Sequence, residues 1–166
     1  QCQAVPGDYF ECGVNRGGSA LFTARVMEGS GKTLHLFDTF SGMPTTDPVH
    51  DMHLDGNFSD CSLEEVKSYV GHEESVVFHP GLMPATFAGL EDASIAFAYV
   101  DVDIYRSTLD CLEFIYPRMS TGAVLLLDDY LRSTCPGARE AVDEYFKDKK
   151  EIPLMISSLQ AVVFKL

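Results

Sequence analysis

The chain has 166 residues, of which 46% are hydrophobic and 22% are charged, values typical of one globular domain with a sizeable core. Its 25 acidic residues outnumber 12 basic ones and give a formal net charge of −13. This charge argues against nucleic acid as a partner, because phosphate contacts need clustered Lys and Arg. No apolar stretch approaches the roughly 20 residues that span a bilayer, and the first residues have no secretory pattern, so no membrane partner is expected.

The cysteine pattern predicts free thiols. The five cysteines are odd in number, are scattered without a CxxC spacing, and lie at Cys2, Cys12, Cys61, Cys111 and Cys135. Such a pattern favours a reducing compartment, so we expect a cytoplasmic protein.

In the first half of the chain, apolar runs and turn signals alternate between strand and helix patterns. The predicted elements are a strand at Tyr9–Gly13, a helix at Ser19–Met27, a strand at Thr33–Phe37, a helix from the capping box at Ser62 to Val70, and a strand at Ser75–Phe78. The polar segment Gly42–Cys61 is predicted to be a loop over the carboxyl edge of the sheet. Its His50 and His53 are candidates to reach the substrate or a metal, but the favoured interpretation is that they are solvated loop residues.

The second half continues the alternation. The predicted elements are a strand at Ile95–Val100, a helix at Ser107–Tyr116 stopped by Pro117, a strand at Ala123–Leu127, a helix at Pro136–Lys147, and a closing antiparallel pair at Ile152–Ile156 and Gln160–Phe164. We therefore predict an α/β fold: a Rossmann-like, doubly wound, mostly parallel sheet with helices on both faces, in one domain over residues 1–166.

Two apolar runs end abruptly in acidic residues. Ile95–Val100 runs into Asp101 and Asp103, and the strand at Ala123–Leu127 runs into Asp128 and Asp129. In open α/β sheets the ligand crevice lies outside the carboxyl ends of the strands. Carboxylates gathered there repel one another unless a cation is present, and hard divalent cations prefer oxygen ligands. If the two strands are neighbours, this edge of the sheet is predicted to be a metal site.

A glycine-rich turn follows the first strand and precedes the first helix, in the segment from Glu11 to Ser19. Glycines there let the backbone approach a ligand, and the helix N-terminus offers free N–H groups. Asp38 ends the second strand at a distance along the chain that suits a ribose-binding carboxylate. The pattern favours a nucleotide-like cofactor, although glycines at strand-to-helix turns also serve purely structural roles.

Together these segments resemble the macrocin O-methyltransferase (TylF-like) family. Five blocks carry the resemblance in order, and they are residues 11–19, 37–44, 100–105, 128–130 and 135–139. The resemblance implies the class I methyltransferase fold and an S-adenosylmethionine-dependent, metal-assisted O-methyltransferase. Its acceptor would be a small hydroxylated molecule, a sugar or similar vicinal diol from natural-product biosynthesis.

The resemblance also implies roles for particular residues. Those expected to border S-adenosylmethionine are Glu11, Gly13, Gly17, Ser19, Asp38, Thr39 and Gly81, with Asp38 on the ribose hydroxyls. Asp101, Asp128 and Asp129 are expected to bind Mg²⁺ or another divalent cation, and Asp101 to accept the proton of the acceptor hydroxyl. Asp103 is expected to support these ligands or the turn itself.

Three alternatives stay open. A haloacid-dehalogenase-type phosphatase also uses Asp-x-Asp around magnesium, but it would need a Lys between the acidic blocks, and the segment from Asp101 to Asp129 has none. A metal-dependent glycosyltransferase does not account for the glycine-rich turn. An S-adenosylmethionine-binding module without turnover is the third, because the helical extension usual before the first strand in this family is expected to be missing. The oligomeric state, a homo-oligomer included, is not determined by the residues.

Overall fold

A computed structural model describes residues 2–72 and 74–166. Its α-helices are α1 (Gly18–Val26), α2 (Leu63–Val70), α3 (Tyr105–Ile115) and α4 (Pro136–Phe146). Its strands are β1 (Asp8–Cys12), β2 (Leu34–Asp38), β3 (Val76–Pro80), β4 (Ile95–Val100), β5 (Met119–Leu127), β6 (Leu154–Met155) and β7 (Ala161–Phe164).

The strands form one sheet in the order β3-β2-β1-β4-β5-β7-β6. Strands β1 to β5 are parallel, and β7 runs antiparallel to both β5 and β6. The predicted Rossmann-like, mostly parallel sheet with a closing antiparallel pair is therefore confirmed. The order reverses beside β1, whose neighbours are β2 on one side and β4 on the other, and such a reversal opens a crevice at the carboxyl ends of the strands.

The sheet separates two hydrophobic cores. Successive side chains of a strand point to opposite faces, so Tyr9 packs in one core and its neighbour Phe10 in the other. On the Phe10 side, α3 and α4 contribute buried residues such as Leu112 and Val142. On the Tyr9 side, α1 and α2 contribute a second set that includes Ala24. Helices on both faces explain why the central strands are nearly all apolar.

Most bounds differ from prediction by one or two residues, β6 is reduced to Leu154–Met155, and the largest shift is at the start of β5. Strand β5 begins at Met119 rather than Ala123, because Met119 already pairs with Ile95 of β4. The polar residues that follow fall in a register irregularity, with Gly122 at φ +86°, before Val124 pairs with Phe97. Helix α3 begins at Tyr105 rather than Ser107 and ends at Ile115, one residue before a 3₁₀ turn that contains Pro117.

Within the described residues, none of the helices combines the length and apolar character that a membrane span requires.

Candidate active site

Four aspartates meet at the carboxyl edge of the sheet. They follow two adjacent strands, and they are Asp101, Asp103, Asp128 and Asp129. Val100 of β4 pairs in register with Leu127 of β5, so the residues that follow them, Asp101 and Asp128, lie at neighbouring strand ends. The expectation that the two acidic strand ends are neighbours is confirmed.

Three of these carboxylates converge. Asp101, Asp103 and Asp129 each have an oxygen within 4.8 Å of the others. Asp129 is only 4% exposed, and neither of its oxygens accepts a hydrogen bond from the described part of the chain. Arg132 Nε lies 2.7 Å from Asp129 Oδ1, but this ion pair lacks the alignment of a hydrogen bond. The Arg132 guanidinium, which also lies 3.7 Å from Asp128 Oδ2, offsets part of the negative charge of this edge, and a bound divalent cation would offset more of it.

Burial and mutual repulsion hold protons on this cluster. Desolvation, with Asp129 and Asp128 adding negative charge, raises the pKa of Asp101 to about 8. Desolvation and the charge of Asp129 raise the pKa of Asp103 to about 6. A bound divalent cation would lower the pKa values of these carboxyl groups, because it favours their ionised form.

Asp128 is held by two neutral donors. Its Oδ1 lies 2.9 Å from the Tyr99 hydroxyl and also accepts a hydrogen bond from the Gln160 side-chain amide. The Tyr99 hydroxyl is also 3.1 Å from Asp101 Oδ2, so its one proton can serve either carboxylate. Burial and the adjacent acids raise the pKa of Tyr99 well above its usual value, which keeps it a donor. Sequence reasoning missed Tyr99, although its position two residues before Asp101 places both on one face.

These four aspartates, called the acidic edge below, line a cavity of about 240 Å³. Several residues predicted for the site line it, and they are Gly13, Asp38, Thr39, Asp101, Asp128 and Asp129. The loop between β2 and α2 contributes Met43, Pro44 and Phe58 to the lining of the same cavity. The cavity therefore joins the expected cofactor residues to the expected metal ligands.

Asp38 organises the glycine-rich turn. Its Oδ2 accepts the backbone N–H groups of Val14 and Asn15 at 2.8 and 2.9 Å, and its Oδ1 accepts that of Phe40 at 2.9 Å. A carboxylate oxygen can accept more than one hydrogen bond, so Asp38 still has capacity for a ligand hydroxyl. The Thr39 hydroxyl donates to the carbonyl of Gly42 at 2.6 Å, which shapes the start of the covering loop.

The other residues expected at the cofactor do not line the cavity, and they are Glu11, Gly17, Ser19 and Gly81. Glu11 is fully buried beneath the turn, where its Oε1 accepts the Ser19 hydroxyl at 2.7 Å. Burial raises the pKa of Glu11 to about 7. The Gly81 N–H donates to the carbonyl of Asp38 at 2.9 Å, so Gly81 flanks the cavity wall. Contact of these residues with a cofactor stays a prediction.

A second cluster adjoins the acidic edge. Cys135 Sγ lies 3.4 Å from His53 Nε2 and 3.4 Å from Asp103 Oδ1, and His53 Nε2 lies 3.6 Å from Asp103 Oδ1. Desolvation, assisted by the charge of Asp129, raises the pKa of the Cys135 thiol well above its usual value. No pattern in the sequence predicts this cluster, because its members come from separate segments and His53 lies in a predicted loop.

A sequence profile of the family described as "Macrocin-O-methyltransferase (TylF)" matches residues 1–165 of this chain. The chain is 34% identical over 155 residues to a Streptomyces olivaceus protein named 8-demethyl-8-(2,3-dimethoxy-alpha-L-rhamnosyl)-tetracenomycin-C 4'-O-methyltransferase, a match that covers 85% of this chain and 58% of that protein. It is 32% identical over 155 residues to a Streptomyces niveus protein named demethyldecarbamoylnovobiocin O-methyltransferase, with the same coverage of 85% and 58%. The chain thus spans a little over half the length of these relatives.

A similar fold is found in the solved structure of the O-methyltransferase NovP. The TM-score is 0.84 at 29% sequence identity, and the match covers 97% of this chain and 72% of that one. The profile match extends over nearly the whole chain, and it includes the strands of the sheet and the aspartates at their ends. This chain belongs to the macrocin-O-methyltransferase (TylF) family.

Proposed function

We propose that this chain transfers a methyl group from S-adenosylmethionine to a hydroxyl of a sugar or similar vicinal diol, with the help of a divalent cation. The observation that carries the proposal is the cavity that unites the glycine-rich turn and Asp38 with the aspartates of β4 and β5. Family membership and the names of both Streptomyces relatives support methyl transfer to oxygen. The phosphatase and glycosyltransferase alternatives are not needed to explain any feature of this site.

The cofactor end of the cavity would lie at β1 and β2. Gly13 has φ +85°, and a side chain at this position would overlap the Asp101 carbonyl, so the turn can pass this close to the end of β4 only because the residue is glycine. Asp38 and Thr39 line the same region. We assign Asp38 to the ribose hydroxyls. Its carboxylate would accept hydrogen bonds from them in addition to those that it already accepts from backbone N–H groups.

The residues of the acidic edge fit a hard divalent cation. The site offers carboxylate oxygens, two of which belong to the buried Asp129 and accept no hydrogen bond within residues 2–72 and 74–166. We assign the cation, Mg²⁺ or an ion of similar chemistry, to Asp101, Asp128 and Asp129. Asp128 would have to turn from Tyr99 and Gln160 toward the ion, and Asp103, which converges with Asp101 and Asp129, is the alternative third ligand. When bound, such an ion lowers the pKa of the acceptor hydroxyl and orients it.

A carboxylate must take the proton that the acceptor hydroxyl loses. We assign this role to Asp101, which lines the cavity and has its Oδ2 within 3.1 Å of the Tyr99 hydroxyl. Asp103 is the competing group, because it lines the same cavity and belongs to the same cluster. Positioning of the two reactants in line supplies the remainder of the rate acceleration, which in such cases reaches ~7–11 kcal/mol.

Variants of Asp101 and Asp103 distinguish which of the two carboxylates accepts the proton. We expect Asp101→Asn to lower both Mg²⁺ affinity, measured by calorimetry, and kcat at saturating Mg²⁺. If Asp103→Asn instead loses kcat with unchanged Mg²⁺ affinity, while Asp101→Asn loses only affinity, the proton acceptor is Asp103.

The proposal as a whole is tested by formation of S-adenosylhomocysteine. The chain is incubated with S-adenosylmethionine and a panel of rhamnosides and other vicinal diols, with Mg²⁺ or with EDTA. We expect methylation that needs the cation and that falls by at least about 100-fold in Asp128→Asn, since a metal supplies several kcal/mol of stabilisation. The control is Asp60→Asn, because Asp60 is exposed and pairs with the exposed Arg16.

Two results would contradict the proposal. Full activity of Asp128→Asn at saturating Mg²⁺, or equal transfer in EDTA, removes the assigned metal role. Cofactor binding without transfer to any acceptor would leave an S-adenosylmethionine-binding module in place of an enzyme.

A further inference from the structure

Beside the acidic edge, three side chains of different chemistry face one another. His53 comes from the loop between β2 and α2, Asp103 from the turn after β4, and Cys135 from the residue before α4. Their side chains supply one nitrogen, one oxygen and one sulfur donor, all within 4.8 Å of one another. This set differs from the all-oxygen aspartate cluster next to it.

The separations of the three ligand atoms are those of hydrogen bonds from the thiol and of a His–Asp ion pair, and they also fit a tetrahedral metal site. Typical bonds of Zn²⁺ are about 2.3 Å to Cys sulfur, 2.0–2.1 Å to His nitrogen and 2.0–2.2 Å to a carboxylate oxygen. At tetrahedral angles these lengths place the donors roughly 3.4–3.6 Å apart. The observed separations are 3.4 Å for Cys135–His53, 3.4 Å for Cys135–Asp103 and 3.6 Å for His53–Asp103.

The surroundings also suit a cation. Cys135 is fully buried, and the side chains of His53 and Asp103 are only 18% and 21% exposed. Independently of these three, Asp129 brings a buried carboxylate, without a hydrogen-bond donor among the described residues, to within 4.8 Å of Asp103. The His53 ring is covered by Phe58, whose ring centroid lies 5.4 Å away.

We propose that His53, Asp103 and Cys135 bind a thiophilic divalent cation, with Zn²⁺ as the ion that fits best. Sulfur and imidazole ligands favour Zn²⁺ over Mg²⁺, which keeps to oxygen. The three protein ligands leave a fourth position for water. Asp103 also lines the methyl-transfer cavity, so the test measures metal binding directly rather than turnover.

Such an ion would fix the loop over the cavity. The loop that carries His53 also contributes Met43, Pro44 and Phe58 to the cavity wall. Cys135 precedes the first residue of α4, and Asp103 lies at the sheet edge. One cation bound to all three would tie the loop to both, and would therefore set how open the cavity is.

Cobalt gives the most specific test, because Co²⁺ bound to a thiolate shows a charge-transfer absorption in the near ultraviolet that an all-oxygen site cannot give. Co²⁺ is titrated into the wild-type chain in excess Mg²⁺, which occupies oxygen sites. We expect the thiolate band in the wild type and in Cys61→Ser, which removes a thiol near Asn15, and no band in Cys135→Ser. Absence of the band in the wild type, or its persistence in Cys135→Ser, overturns the proposal.

A second variant guards against misfolding of Cys135→Ser. His53→Gln removes a ligand from a loop and leaves both cores intact, which far-ultraviolet circular dichroism verifies. Zn²⁺ affinity measured by calorimetry in excess Mg²⁺ is expected to fall by at least about tenfold. Zn²⁺ should also slow proteolysis of residues 43–58 in the wild type and not in His53→Gln. Equal affinity and equal proteolysis in the two chains would contradict the site.

Discussion

Glu11 shows how one buried side chain makes the stability of this fold depend on pH. It lies fully buried at the end of β1, with one oxygen on Ser19 and the other without a donor in the described part of the chain. Burial raises its pKa from 4.5 to about 7, so the folded chain holds a proton there that the unfolded chain releases near pH 4.5. The stabilisation is fully present below about pH 4.5 and is lost as the pH rises to about 7.

Glu11→Gln tests this coupling, because it keeps the shape and removes the charge. We expect the variant to be more stable than the wild type at pH 8, by up to about 3 kcal/mol, and nearly equal to it at pH 5. Urea denaturation at both pH values measures the difference in unfolding free energy. Because the wild type and the variant share all other acidic residues, the contributions of those residues to the pH dependence cancel. A constant difference between pH 5 and pH 8 would mean that Glu11 is ionised in the folded chain.

The sequence predicts the positions of those site residues that directly follow a strand. Asp101 and Asp128 directly follow apolar strands, so the sheet alone brings them together. His53 and Cys135 could not be placed in this way, because their meeting depends on the path of a long loop and on where α4 begins. Arg132 was also missed, although its spacing from Asp129 places it one turn further along the chain.

Among the elements, the turn from β1 to α1 has the least tolerance for change. Gly13 has φ +85°, and a Cβ there would overlap the backbone of Asp101. The turn thus couples the glycine-rich segment to the end of β4. A larger residue would have to separate the ends of β1 and β4, and with them the two halves of the cavity.

Gly13→Ala is therefore expected to destabilise the chain by roughly 4 kcal/mol or more. Gly31→Ala is the control, because Gly31 also has a positive φ of +72°, but a Cβ there would meet no atom of the described residues within 4 Å. Its cost should be only about 1–2 kcal/mol, the strain of the left-handed conformation. If Gly13→Ala and Gly31→Ala lose equal unfolding free energy in urea denaturation, the close approach of Gly13 to Asp101 does not contribute to stability.

Element prediction succeeded where the apolar pattern was strong. Strand β4 has the predicted bounds because all six of its residues are apolar and the charged turn ends it. The predicted start of β5 was wrong because this strand begins with the pairing of Met119 to Ile95 and then runs through polar residues in a register irregularity, which hydropathy does not indicate. Sequence periodicity cannot report such tertiary pairing.

For the whole molecule, the excess of acidic residues makes divalent cations a source of stability. The net charge is −13, and the aspartate cluster at the sheet edge concentrates part of it. The raised pKa values of Asp101, about 8, and Asp103, about 6, mean that the folded chain loses stability as the pH rises from about 4 to 8 without a cation. A bound cation offsets this loss.

We expect Mg²⁺ to raise the melting temperature of the wild type. At 100 times its Kd, a bound ligand adds about 2.7 kcal/mol, which corresponds to roughly 5–10 °C for a chain of this size. The shift should be larger at pH 8 than at pH 5, because at pH 5 the ion must displace protons. Sodium chloride at equal ionic strength is the control for screening, and a shift retained in Asp129→Asn would place the ion elsewhere.

Binding of S-adenosylmethionine in the cavity between the glycine-rich turn and the acidic edge is the step on which methyl transfer depends. Calorimetric titration of S-adenosylmethionine, with and without Mg²⁺, tests it on the wild type, on Asp38→Ala and on the surface control Asp60→Ala. We predict affinity on the order of micromolar in the wild type and in Asp60→Ala, and its loss in Asp38→Ala. No binding by the wild type would show that the cavity is not a cofactor site, and undiminished binding by Asp38→Ala would show that Asp38 does not hold the ribose.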